Sequence, residues 1–183
     1  MPQTAPLPSA TVATPPATAA APAEPVVTAR RRCTAEDLRL TAGQDLGSLM
    51  RQPAAYFGLV NSSSSPCKVE GYPAVTFFDG SGRRISPARQ LRGGPYQIND
   101  PGPTGVSLAP GGTGWFGVGW IVENPDGGHD GCVDPSAISV VPPGASRQMR
   151  IPVHLRAWVC PSGSVIVTAI GQRTSFRLAD PAA

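Results

Sequence analysis

The sequence predicts an all-β fold, an immunoglobulin-like antiparallel β-sandwich of about eight strands with two disulfides and a disordered N-terminal tail. Three observations predict it. Among 183 residues there are 21 Gly and 22 Pro, together roughly a quarter of the chain and far above ordinary usage. Short apolar runs of period two recur between those turn-forming residues. Four widely spaced cysteines, Cys33, Cys67, Cys132 and Cys160, suit disulfides rather than metal or redox pairs, since no two form C-x-x-C. The antibody Cys/Trp spacing is absent, so the likeness is one of architecture.

Residues 1–32 are rich in Pro, Ala and Thr and carry almost no charge before Arg30. They hold too little bulky apolar surface to offset the entropy of ordering, which predicts a disordered, locally extended tether. The domain is expected to span residues 33–178, with 179–183 as a flexible C-terminal tail. Around Thr34–Leu38 a single helical turn is expected, capped by Thr34 with Asp37 three residues on. Leu38 and Leu40 then alternate with Arg39 and Thr41. Ala55–Asn61 is an apolar run ending in SSSSP, and Ala74–Asp79 is another, closed by a hairpin loop at Gly80-Ser81-Gly82.

The connection Leu91–Thr104 is long for a compact domain, and connections of that length are often functional. Tyr96 within it is a candidate binding anchor, or more simply a ring that pins the loop. Val106–Leu108 leads to the turn Pro110-Gly111-Gly112, and Trp115–Ile121 follows with Phe116, Val118 and Trp120 on one face. Ile138, Val140 and Val141 precede Pro142-Pro143-Gly144. Met149, Ile151, Val153 and Leu155 alternate with polar neighbours, and Val165–Ile170 completes the series.

Within GGTGWFGVGW, residues 112–117 match G-x-G-x-x-G. A dinucleotide loop needs a strand before it and a helix after it, to bring the helix N-terminus to the pyrophosphate. Here the glycines follow a turn and enter a period-two run. Gly117 and Gly119 share a face with Trp115, where small residues let another group approach closely. The stretch is therefore read as a strand, and no cofactor is expected.

The net charge of +3 is matched by Arg30, Arg31 and Arg32 alone, which leaves no basic face for nucleic acid. No run approaches the length of a membrane span. Neither a basic nor an apolar signal region opens the chain, so an export signal is expected to have been removed from it. Four cysteines allow three pairings. The sequential one, Cys33–Cys67 with Cys132–Cys160, is the expectation, and each bridge would contribute about 3.5–4 kcal/mol in the loop-entropy account.

The segment Glu123–Asp134 gathers Glu123, Asp126, His129, Asp130 and Asp134 near a cysteine. Oxygen donors at that density suit calcium, and His129 with carboxylates suits a transition metal. Against this, the spacing is not that of an EF-hand, and neither histidine stands at zinc-finger spacing from the cysteines. A solvated Gly-rich loop tied down at Cys132 explains the segment more simply, so no metal is assigned. Hydrolase sets fare no better: there is no G-x-S-x-G, and His154 lies opposite in phase to the apolar residues around it.

The stretches LVNSSSSPCKVEGYPAVTFFDGSG, VSLAPGGTGWFGVGW and GCVDPSAISVVPPG, with Cys33 ahead and WVC behind, occur in a recognisable order. The run holding Asn61, Ser63, Cys67, Gly71, Tyr72 and Pro73 is its most specific part. In this the chain resembles a family of exported, lipoprotein-like actinobacterial proteins described as domain of unknown function 4232, over about residues 33–172. The resemblance implies a β-sandwich behind a Pro/Ala/Thr-rich linker, secreted or lipid-anchored at the cell envelope, and brings no catalytic residues. Read physically, Asn61 caps a strand end on local backbone, and Tyr72 buries its ring with its hydroxyl on the backbone.

The expectation for function is an extracellular or cell-envelope binding or structural module, not an enzyme. Its partner would be an envelope protein or glycan, with the membrane met only through an N-terminal lipid anchor absent from this chain. Tyr96, Trp115, His129 and Asp130 are the candidate contacts. The alternatives are a metal-dependent envelope enzyme centred on residues 123–134 and a redox protein using its cysteines.

Overall fold

In the computed structural model the described residues are 29, 31–49, 51–85, 89–123 and 127–176. The expected tether, apart from Ala29, Arg31 and Arg32, and the expected tail at 179–183 lie outside them. The fold is all-β, with eleven strands and one 3₁₀ turn, at Arg173–Ser175, among the described residues. One sheet runs, edge to edge, β1 (Leu38–Leu49), β2 (Gln52–Asn61), β8 (Thr113–Trp120), β11 (Ser164–Val167) and β6 (Arg89–Arg92). The second runs β10 (Met149–Pro152), β9 (Ala137–Val141), β4 (Ala74–Phe78) and β5 (Arg84–Ile85). A small third ladder joins β3 (Cys67–Val69) to β7 (Val106–Leu108).

The two large sheets close on one core because each presents its apolar phase inward. Phe116, Val118 and Trp120 from β8 face Val75 and Phe77 from β4 and Ile138 and Val140 from β9. Phe77 meets Trp120 edge-on at 5.4 Å between ring centroids, and Phe57 stacks on Phe116 at 5.9 Å. Both disulfides form as the sequential pairing requires, Cys33–Cys67 and Cys132–Cys160.

Among the described residues the named strands pair antiparallel with one exception: β6 lies parallel to β11, Arg89 opposite Ser164. β6 carries no period-two signal because its four residues, RQLR, are all exposed. What holds it is pairing plus one side chain. Gln90 accepts from the Val75 amide (2.8 Å) and donates to the Pro73 carbonyl (2.9 Å), stitching this edge to the start of β4 in the other sheet.

The segment expected as a helical turn is a single reverse turn. The Asp37 amide reaches the Thr34 carbonyl at 3.2 Å, and the Asp37 carboxylate accepts from the Thr34 amide (2.7 Å) and hydroxyl (2.9 Å). Only half of the expected cap is made, the Asp37 carboxylate on the Thr34 amide, since the Asp37 amide bonds the Thr34 carbonyl and not its hydroxyl; β1 begins at once and no helix follows. Arg31 clamps the same carboxylate at 2.7 Å and holds it well below the usual carboxylate range. Ahead of Cys33, Ala29 is buried and its amide donates to Ser107 Oγ (3.2 Å), so ordered contacts start before the first disulfide.

Asn61 is buried and ends β2 as a four-bond junction. Its amide nitrogen donates to the carbonyls of Ser65 (2.9 Å) and Leu108 (3.0 Å), while its oxygen accepts from the Ser63 amide (3.0 Å) and hydroxyl (2.7 Å). The Gly80–Gly82 hairpin turns around Asp79, whose carboxylate accepts from Ser81 and Arg83. These bonds, led by that from the Ser81 hydroxyl, lower its pKa from 3.8 to about 2.

Candidate binding surface at one end of the sheet

The glycines of β8 earn their place on the outer face of the five-stranded sheet. A Cβ on Gly117 would stand 2.7 Å from Ile98, and one on Gly119 only 2.2 Å from the Pro95 ring. The segment 93–101 therefore lies directly on the strand, and the motif is a seat for a loop. With Ala54, Tyr56 and Phe176, Ile98 forms a second, smaller core on this face.

Further bonds fix the loop at both ends. Gln97 is buried and donates to the Gln52 carbonyl at 2.8 Å. The Tyr96 amide donates to the Gln52 side-chain carbonyl. At the far end Asp100 accepts from the Ala169 amide (2.9 Å) and from the Tyr72 hydroxyl (2.7 Å). Tyr72 is thus half-buried and bonded to a carboxylate, not to the backbone as its local sequence suggested. That hydrogen bond, and after it burial, raises the phenol pKa, and Arg92 lies over the ring at 5.4 Å.

Only four large apolar side chains among the described residues are strongly exposed: Tyr96 (58%), Trp158 (47%), Leu91 (40%) and Ile121 (38%). The register gathers them at one end. Gly119 pairs with Ala54 on one side and Ile166 on the other, and Ile166 pairs with Leu91, so Leu91 lies in the same cross-strand row. Pro95 covers Gly119, which puts Tyr96 beside this row, and Ile121 follows the last residue of β8. Trp158 reaches the same end of β8 from the other side of the sheet, because its carbonyl accepts from the inward-facing Trp120 indole N–H at 2.9 Å.

The other candidates separate. His129 joins this end, its ring edge-on to Trp158 at 5.2 Å, with Asp130 exposed beside it in sequence. Trp115 does not: it lies four residues back along β8, roughly 13 Å in an extended strand, half-buried over Gly43 and Gly58. Its backbone is bridged to Gly171, and Arg173 stands 6.0 Å from its ring. The carboxylates expected around His129 are only partly placed. Glu123 pairs with Arg51 at 2.7 Å, and Asp126 lies outside the described residues. What stands beside His129 instead is the Cys132–Cys160 disulfide.

A separate open cleft of about 690 Å³ is lined by Asp134, Ser136, His154 and Arg156. Ser136 Oγ donates to the Asp79 carbonyl at 2.6 Å, so its proton is already committed to the backbone. His154 is exposed, as its phase in the strand indicated.

Fold and stapling define the class: a disulfide-bonded all-β domain carrying an exposed aromatic end. The profile of a family described as a domain of unknown function (DUF4232) matches residues 33–171, and the chain belongs to that family. No curated protein and no solved structure matches it.

Proposed function

We propose that this protein is a non-catalytic binding or structural module of the cell envelope, and that it meets an envelope protein or glycan through the sheet end bearing Tyr96, Ile121 and Trp158. The observation that carries this reading is the presentation of Tyr96. Its phenol is exposed while Pro95, Gln97 and Ile98 on either side are buried. A ring offered from a pinned loop loses little conformational freedom on binding, and exposed aromatic residues are the usual energetic anchors of an interface. Export is supported by two disulfides and no free cysteine, which suit an oxidising compartment. The resemblance to exported, lipoprotein-like actinobacterial proteins points the same way. Among the described residues no helix is long and apolar enough to cross a membrane.

The test is binding of the purified domain to protein and polysaccharide fractions of the host's envelope, compared with Tyr96→Ala/Trp158→Ala. The reading expects one fraction to retain the domain, with a loss of at least about thirtyfold in the double variant, the scale of a hot spot. Equal retention of the two proteins would refute it, as would retention by neither fraction.

A further inference from the structure

His129 and Cys132 stand at H-x-x-C spacing in a reverse turn. The Cys132 amide donates to the His129 carbonyl at 3.0 Å, and Gly131 supplies the positive φ of +73° that the turn needs. Cys160 comes from another segment. The bridge between Val133 and Val159, with amide–carbonyl bonds of 3.1 and 2.9 Å, places it against Cys132. A His129 ring nitrogen and the two sulfur atoms all lie within 4.8 Å of one another. Zinc-like coordination, with metal–sulfur bonds of about 2.3 Å and metal–nitrogen bonds of about 2.0 Å, spaces its donor atoms roughly 3.3–3.8 Å apart, inside that limit.

The histidine is also oriented as a ligand. His129 Nδ1 lies 2.9 Å from the Val122 carbonyl, and since a carbonyl only accepts, Nδ1 carries the proton. In the neutral ring Nε2 then holds the lone pair. This is how metal-bound imidazoles are commonly fixed, by a second bond to a backbone oxygen.

We propose that Cys132, Cys160 and His129 form a redox-gated site for a soft divalent ion of the zinc class. As the disulfide, the sulfurs are bonded to each other and bind nothing. A dithiol reductant opens the site: one of its thiolates attacks Cys132 Sγ, which is the less buried of the pair, and Cys160 leaves as a thiolate. The second thiol of the reductant then displaces Cys132 and closes the reductant's own disulfide. Two electrons pass to the protein, which ends with two thiols. The metal displaces the two thiol protons to solvent and takes Nε2 as third donor, its fourth position being open to water beside the exposed histidine. This inference is independent of the binding surface, since it concerns the thiol form.

The test uses the full chain, reduced anaerobically and freed of reductant, titrated with Co²⁺. The readout is the near-ultraviolet thiolate-to-cobalt charge-transfer band. One equivalent is expected to saturate the reduced protein, and the oxidised protein is expected to give no band. Affinity should fall by at least about tenfold in His129→Ala, no less than outer-shell changes cause. His129→Cys, which restores a third donor, should recover the band. Cys132→Ser/Cys160→Ser, leaving only Cys33 and Cys67, should lack it. Absence of the band in the reduced wild type overturns the proposal, as does its persistence in the serine double variant. Equal affinity in His129→Ala also overturns it, and that is the result an unfolded reduced chain would give, because loose thiols ignore the histidine.

Discussion

Gly119→Ala tests how the outer face of the sheet is built. The added Cβ would stand 2.2 Å from Pro95 Cβ and 3.0 Å from its Cγ, contacts that cannot persist. A proline ring has no rotamer to swing aside, so either the loop lifts or the strand bends. Overpacking of this kind costs about 1–3 kcal/mol, and losing a glycine from the unfolded chain returns about 0.4–1 kcal/mol. The net expectation is a destabilisation of about 1–2 kcal/mol, or a fall in Tm of roughly 2–8 °C for a domain of this size. Thermal unfolding followed by circular dichroism measures it directly. Gly80→Ala is the control, because nothing lies within 4 Å of the Cβ it adds, and it should be neutral or slightly stabilising. Combined with Pro95→Gly, Gly119→Ala should become milder by at least about 0.5 kcal/mol, the coupling expected of residues in contact. A wild-type Tm for Gly119→Ala, or strict additivity in the double variant, would refute the account of the loop's seat.

Four further outcomes follow from single sites. Asn61→Ala strips donors from the Ser65 and Leu108 carbonyls and should cost about 2–4 kcal/mol in urea unfolding, given about 1–3 kcal/mol per buried group left unpaired. Asp79 has a folded pKa near 2 against an ordinary 3.8, so its contribution is complete above about pH 4 and is lost as pH falls through 2. Wild type should accordingly lose stability over that window more steeply than Asp79→Asn, which has no such proton to take up, as acid titration of Tm would show. Among the described residues the buried Tyr56 hydroxyl has no hydrogen-bond partner, Arg173 meeting the ring face at 3.8 Å. Tyr56→Phe should therefore be neutral or raise stability by up to about 1 kcal/mol, and a loss larger than that would show the hydroxyl has a partner. Trp158→Ala removes a half-exposed ring packed edge-on against His129 and should cost about 1–2 kcal/mol, while the buried Trp120→Ala should cost about 3–5 kcal/mol, both measured by denaturant midpoint.

Elements with a clear alternation were legible from sequence: Phe116, Val118 and Trp120 point inward as their spacing requires. Pairing of the cysteines in sequence order also agrees with the bridges formed. What escaped depends on distant partners. Nothing in RQLR announces β6, whose support comes from β11 and from the Gln90 bonds to Pro73 and Val75. Tyr72 finds Asp100, 28 positions away, so local turn chemistry could not foresee a carboxylate there. At the exposed end, Tyr96 is visible as an aromatic residue in a long connection, whereas Trp158 stands in HLRAWVC with no turn signal beside it. Its signal was phase: Val159 is buried, so in an extended segment the residue before it faces outward. The H-x-x-C spacing of His129 and Cys132 is likewise present in the sequence, but its third member, Cys160, comes from a distant segment.

The parallel pairing of β6 with β11 has a kinetic consequence. β1 and β2 lie two residues apart in sequence and can zip together locally, whereas Arg89 must find Ser164 across 75 positions of sequence. Non-local pairings of this kind pay their loop-closure entropy before any contact repays it, and they set the pace of β-rich chains at milliseconds to seconds. Until β6 docks, β11 is an open edge, with Val165, Ile166 and Val167 available to a neighbouring chain. Closing Cys132–Cys160 first would shorten the search, because the bridge draws the chain just before β11 back onto a segment already 28 residues nearer to β6. In an oxidising compartment, the order of events would then run from disulfide to sheet, and refolding of the reduced chain would be the slower and more aggregation-prone route.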